Sequence, residues 1–159
     1  MGVEIERKFL LADESWRSGA DEGVPVRQGY FLRADSDAPT VRIRIAGTRA
    51  FLTVKGRADG IARSEFEYPV PNDDAEAMLR EFCGTRVVEK RRFRVPFGGF
   101  VWEVDEYFGR HAGLFTAELE LPTAETEFPR PPWLGREVSD DPRYSNGALS
   151  LGGGLPPLT

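Results

Sequence analysis

Residues 4–9 read EIERKF, with Glu4, Glu6 and Lys8 on one parity and Ile5 and Phe9 on the other. Side chains two apart on a strand share a face, so this stretch predicts a β-strand with one ionic and one apolar side. The same alternation recurs along the chain. VRIRI (41–45) pairs Arg42 with Arg44, FLTVKG (51–56) pairs Thr53 with Lys55, and SEFEYPV (64–70) pairs Glu65 with Glu67. Further on, EKRRF (89–93) pairs Lys90 with Arg92, WEVDEY (102–107) pairs Glu103 with Asp105, and AELEL (117–121) pairs Glu118 with Glu120. Apolar partners such as Ile43, Val54, Phe66, Val104 and Leu119 fall on the opposite parity.

Eight such segments, with turn signals between them, predict a mainly β, antiparallel domain. Their expected spans are 3–10, 26–33, 40–46, 50–57, 63–70, 86–95, 99–107 and 113–121, separated by clusters such as DSDAP, AGT, RADG, PFGG and FGRHAG. Helices are expected only over ADESWRSG (12–19), over PNDDAEAMLREFC (71–83) with Asn72 or Asp73 as cap, and near SNGALSL (145–151). Prolines 129, 131 and 132 mark an irregular crossing before WLGREV, and GGGLPPLT at the end reads as a loose tail over 151–159.

An ordinary half-solvated sheet also alternates, with its charges in water. Two features argue for a different arrangement. The signs segregate by strand: Arg42/Arg44 and Lys90/Arg92 are purely basic, Glu103/Asp105 and Glu118/Glu120 purely acidic. Like charges side by side repel, so such rows need a ligand, a counter-ion or an opposed strand of the other sign. So few helices also leave an open sheet uncovered, and closure into an eight-stranded barrel removes its edges. The expected fold is therefore a closed antiparallel barrel, a tunnel with a few flanking helices. Its lumen would hold the acids Glu4, Glu6, Glu65, Glu67, Glu103, Asp105, Glu118 and Glu120 and the bases Lys8, Arg42, Arg44, Lys55, Lys90 and Arg92.

Composition narrows the function. The 159 residues predict a single domain, 1–159, and one cysteine, Cys83, excludes an intramolecular disulfide. A net charge of -5 argues against a nucleic-acid or anionic-membrane partner. The charged N-terminus MGVEIER has no apolar run, which points to a cytoplasmic protein. Lysine is rare, with 3 against 18 arginines, yet all three lysines lie in the alternating segments. A compact ammonium differs chemically from a guanidinium fork, and both kinds of cation suit phosphate.

Six converging cations match a chain of phosphates, and triphosphate is the common metabolite of that shape. The carboxylates suit Mg²⁺ or Mn²⁺, hard cations that take oxygen ligands and bridge to phosphate. Water activated at such a metal would attack the terminal phosphorus. No GxxxxGK[ST] or GxGxxG stretch is present, so phosphate binding must come from side chains. His111, in the turn GRHAG, reads as a solvated loop residue, and Cys83 as core. Tyr30, in RQGYF, is either packing or a phenol poised among cations.

EIERKF resembles the ExExK signature of the CYTH superfamily, the triphosphate tunnel metalloenzymes. QGYF, VRIRI, FLTVKG, SEFEYPV, EKRRF, WEVDEYFG, AELELP and LGREVSDDPRYSNGALS follow in the order seen in short bacterial members, so the likeness spans nearly the whole chain. It implies an eight-stranded tunnel and metal-dependent hydrolysis of inorganic triphosphate or a related compound. It also implies that Glu4, Glu6, Glu118 and Glu120 hold the metal, and that Lys8, Arg42, Arg44, Lys55, Lys90 and Arg92 bind phosphate. Lys8 and Tyr30 would be the catalytic residues, Tyr30 as proton acceptor. Arg143, in DPRY, would come from a C-terminal helix closing one mouth. Arg91 departs from the pattern, and parity places it outside. Class IV adenylate cyclase, thiamine triphosphatase and a non-catalytic triphosphate or polyphosphate binder are the alternatives on the same scaffold, as a monomer or homodimer.

Overall fold

A computed structural model of the chain describes residues 2–31 and 39–159; residues 32–33 of the expected second strand and most of the DSDAP turn lie outside the described residues. The strands are β1 (Gly2–Leu11), β2 (Val24–Tyr30), β3 (Thr40–Ala46), β4 (Arg49–Lys55), β5 (Ala62–Val70), β6 (Val87–Phe97), β7 (Phe100–Tyr107), β8 (Phe115–Glu120) and β9 (Leu134–Glu137). All pairings are antiparallel, in the order β5-β4-β3-β2-β6-β7-β8-β1-β9. A further pairing of β1 with β5 closes the first eight strands into a barrel, as the alternation predicts. The ninth strand was not expected. WLGREV, which follows the irregular crossing marked by prolines 129, 131 and 132, adds β9 to the far end of β1, with Phe9 opposite Glu137. Four residues after a proline cluster are too short for an alternating signal to stand out.

The long first strand makes closure possible. Its N-terminal half pairs with β5, Glu4 standing opposite Arg63, while residues 6–10 pair with β8 on the other side. Registers around the ring keep the ionic parity inward: Lys8 faces Glu118, Arg92 faces Asp105, Gln28 faces Arg44, and Lys55 faces Glu65.

The outward parity builds two apolar layers. Phe9, Val95, Trp102, Val104, Ala117 and Leu119 pack under Trp16, Leu121 and Trp133. Ile43, Ile45 and Ala50 pack under α1 (Asn72–Met78) and the wider turn Leu79–Cys83 that continues it. Gly29 permits that close approach, since a Cβ there would lie 2.6 Å from Cys83 Sγ and 2.7 Å from Leu79 Cδ2. Phe66, by contrast, stays exposed on β5. The cap of α1 differs from expectation: Pro71, whose ring offers no acceptor, occupies that position, and Asn72 donates to the Thr48 carbonyl instead.

The third apolar layer lies inside the barrel. Leu10, Val88 and Tyr107 belong to the inward parity, yet they pack with Tyr144 and Leu149. The segment supplying those two residues is α2 (Asn146–Ser150), capped by Ser145 Oγ, with the 3₁₀ turn Pro142–Tyr144 before it. It plugs one end of the lumen, so the tunnel is closed there. Two expectations fail here. His111 is buried rather than solvated: its Nε2 lies 2.8 Å from the Leu149 carbonyl, because α2 folds down over the GRHAG turn. The tail is tacked down as well, with Pro156 buried and Tyr144 Oη donating to the Pro157 carbonyl at 2.6 Å. Among the described residues no helix is long and apolar enough to cross a membrane.

Candidate active site

The polar part of the lumen is a cavity of about 330 Å³. Its wall includes every charged residue expected from the alternation except Asp105, which lies fully buried beneath Lys90 and Arg92. Tyr30 also lines it. Arg143 does not: its guanidinium turns outward to Asp141, at 2.7 Å, and the next residue, Tyr144, takes the inward position. Arg91 likewise stays outside, bonded to the Glu22 and Gly23 carbonyls. Six wall residues escaped sequence reasoning, Thr40 on β3 and Gly147 on the plug among them. Gln28 and Arg63 share parity with Tyr30 and with Glu65, so alternation held their signal; Ser145 and Asn146 arrive on the plug, which no strand period reveals.

The charges divide into two poles. On β3 and β6, Arg42, Arg44, Lys90 and Arg92 crowd together. Burial, then the neighbouring Arg42 and Arg92, push Arg44 down to about 10. Burial is also the main reason Lys90 falls to about 7; Asp105 opposes the shift, while Arg92 and Arg44 add to it. Arg44 Nε finds a neutral acceptor, Gln28 Oε1, at 2.9 Å, and Arg42 Nε is buried with no partner among the described residues. Arg44, bonded to a neutral amide, and the unpaired Arg42 Nε leave this pole with guanidinium donors that an anion could use.

On β1 and β8 the imbalance reverses. Burial, then Glu118 and Glu4, push the Glu6 carboxyl up to about 8. Burial, then Glu4 and Glu103, raise Glu120. Among the described residues neither has an ion-pair partner. Their neighbours are satisfied. Glu118 is held well below the carboxylate range: burial works against this, but Lys8 at 3.2 Å and Arg92 at 3.2 Å prevail. Glu4 is lowered too, because Lys55 at 2.9 Å outweighs its burial.

The remaining acids fix the cations. Asp105 bonds Lys90 at 2.7 Å and Arg92 at 2.7 Å, and Glu103 bonds Arg92 at 3.1 Å. Glu67 accepts from Thr53 at 2.8 Å and approaches Arg42 at 3.4 Å, while Glu65 lies 3.5 Å from Lys55. Lys8 stays an ammonium: burial lowers its pKa, but Glu118 and the other anions around it more than compensate.

Known sequences and structures share this architecture. The CYTH domain profile matches residues 2–146. This chain belongs to the CYTH family. It is 46% identical to an inorganic triphosphatase of Acetivibrio thermocellus over 149 residues, 94% of each chain. It is 38% identical to an inorganic triphosphatase of Nitrosomonas europaea over 153 residues, 94% of this chain and 97% of that one. The barrel superposes on the crystal structure of the inorganic triphosphatase NE1496 with a TM-score of 0.68 at 35% identity, covering 96% of this chain and 97% of the other.

Proposed function

We propose that this chain hydrolyses inorganic triphosphate with a divalent cation, Mg²⁺ or Mn²⁺, as cofactor. The supporting observation is the pair of opposed, incompletely neutralised poles in one enclosed cavity, together with the activity named for its relatives. A cavity of about 330 Å³ sits at the small end of the roughly 300–1,000 Å³ seen for ligand sites, which suits a compact polyanion. Arg42, Arg44, Lys55, Lys90 and Arg92 would hold phosphate oxygens, the guanidiniums as forks and the lysines as point charges.

The acidic pole fits the cation. Its donors are hard carboxylate oxygens, and burial and neighbouring carboxylates make the charged forms of Glu6 and Glu120 unfavourable, a penalty that a dication would relieve. Glu4, Glu6, Glu118 and Glu120 would supply the ligands. When bound, the cation would lower the pKa of water and neutralise charge on the transferring phosphoryl group. Lys8, kept charged by Glu118, would stabilise the same developing charge. Tyr30 Oη accepts from Gln28 Nε2 at 2.7 Å, which holds the phenol at the cavity wall, where it would serve as the proton acceptor.

The test is a panel assay of orthophosphate and pyrophosphate release from tripolyphosphate, ATP and thiamine triphosphate, with each metal in turn and a measurement of cyclic AMP. Preferential release of one orthophosphate and one pyrophosphate from tripolyphosphate is expected. Cyclic AMP formation would assign the cyclase reaction instead, preference for the thiamine ester would assign that substrate, and tight binding without turnover would make the protein a binder.

A further inference from the structure

The plug does more than close the barrel, because it contributes a side chain to the cationic pole. Asn146 Oδ1 accepts from Lys90 Nζ at 3.0 Å and from Gln28 Nε2 at 3.1 Å. An ammonium only donates, so Lys90 dictates which end of the amide faces it. The other end, Nδ2, then donates to Tyr107 Oη at 3.0 Å. Gln28 is itself fully buried and carries the connection onward: its Oε1 accepts from Arg44 Nε at 2.9 Å, and its Nε2 donates to Tyr30 Oη at 2.7 Å. A single amide on α2 thus touches the groups that set the placement of Lys90, Arg44 and Tyr30. Those side chains come from β6, β3 and β2, and no strand pairing fixes the positions of their tips.

We propose that Asn146 is a positioning residue of the triphosphate site, holding Lys90 and Gln28, and through Gln28 Arg44 and Tyr30, where they meet the phosphate chain. The inference rests on the triphosphate reading of the cavity. The neutrality of the amide is the central point. Lys90 already has one carboxylate, Asp105, at 2.7 Å. A second anion here would cancel the positive charge offered to the substrate, whereas an apolar side chain would leave Lys90 to Asp105 alone and release Gln28. An amide provides an acceptor without adding charge.

The two kinds of substitution therefore separate. Asn146→Ala keeps every charge and loses the placement; kcat should fall roughly 10- to 100-fold, with KM and the Kd for tripolyphosphate in metal-free buffer within about 3-fold. Asn146→Asp keeps the shape and adds a charge; KM and Kd should rise about 10-fold or more, and the loss should grow as the salt concentration falls. Asn146→Ser, which restores a neutral acceptor, should recover part of kcat. Arg110→Ala is the control for loosening of the plug, since Arg110 ties the Ser150 and Thr85 carbonyls outside the cavity. It should lower Tm with kcat within about 2-fold of the parent.

Measurements on the full chain would be steady-state hydrolysis, calorimetric binding of tripolyphosphate and thermal melting. The split between the alanine and aspartate variants, without the same loss in Arg110→Ala, supports the proposal. Equal changes in the same parameter for both variants, unchanged kinetics in both, or reproduction of the loss by Arg110→Ala at a matched Tm would overturn it. If the parent binds but does not hydrolyse tripolyphosphate, the hydrolase reading fails, and the contrasting Kd values of the two variants still decide the role of Asn146.

Discussion

The two poles of the cavity share one sequence device and end in opposite electrostatic states. On β3 and β6 the inward row is basic, and burial, reinforced by the neighbouring guanidiniums, pushes Arg44 to about 10 and Lys90 to about 7. On β1 and β8 the inward row is largely acidic, and burial, reinforced by Glu118 and Glu4, pushes Glu6 to about 8. Each pole also contains members that are fully paired, such as Arg92 with Asp105 and Glu118 with Lys8. These pairs hold their side chains in place at the cavity wall. Arg44, which bonds only the neutral Gln28, and Glu6 and Glu120, which have no ion-pair partner among the described residues, support the proposal that a polyanion and a dication bind together in the cavity.

Breaking the boundary between the poles should have the largest effect. Lys8 projects from the acidic strand β1 and anchors Glu118, so Lys8→Ala should reduce phosphate release from tripolyphosphate by about 10³-fold while circular dichroism shows an intact fold. Within the cationic pole, Arg44→Met should lower kcat/KM by roughly 10²-fold. Its Tm should not fall, because the substitution removes a charge that Arg42 and Arg92 repel.

The acidic pole has a pH signature in the metal-free protein. Folded Glu6 keeps its proton to about pH 8, whereas the unfolded chain releases it near 4.5. Between those values the folded state binds more protons than the unfolded one, so this contribution to stability falls as pH rises. Glu6→Gln should flatten that slope and melt higher than the parent at pH 8, by about a few degrees. The smallest effect should come from Arg143→Ala, which removes a side chain paired outward to Asp141. Hydrolysis should stay within about 2-fold of the parent in the same assay.

Most of the barrel was legible because alternation is local: each strand states its own inward face, and eight strands with few helices leave closure as the economical arrangement. The same parity brought the expected charges to one cavity. What stayed hidden depended on contacts distant in sequence. The plug buries His111 and displaces Arg143 from the lumen, and neither effect follows from the GRHAG or DPRY stretches alone. Asn146 is a neutral side chain on a five-residue helix, with neither charge nor period to mark it. Asp105 looked like another cavity acid because parity reports the face of a strand but not the depth at which a side chain is covered.

The separation of the poles is tested most directly by measuring hydrolysis while tripolyphosphate and Mg²⁺ are varied independently, for the parent, Arg44→Met and Glu120→Gln. Arg44→Met should raise the KM for tripolyphosphate at saturating Mg²⁺ and leave the half-saturating Mg²⁺ concentration unchanged, whereas Glu120→Gln should do the reverse. Equal shifts of both parameters in both variants, or hydrolysis at the parent rate in chelator, would contradict a cavity divided between phosphate and metal.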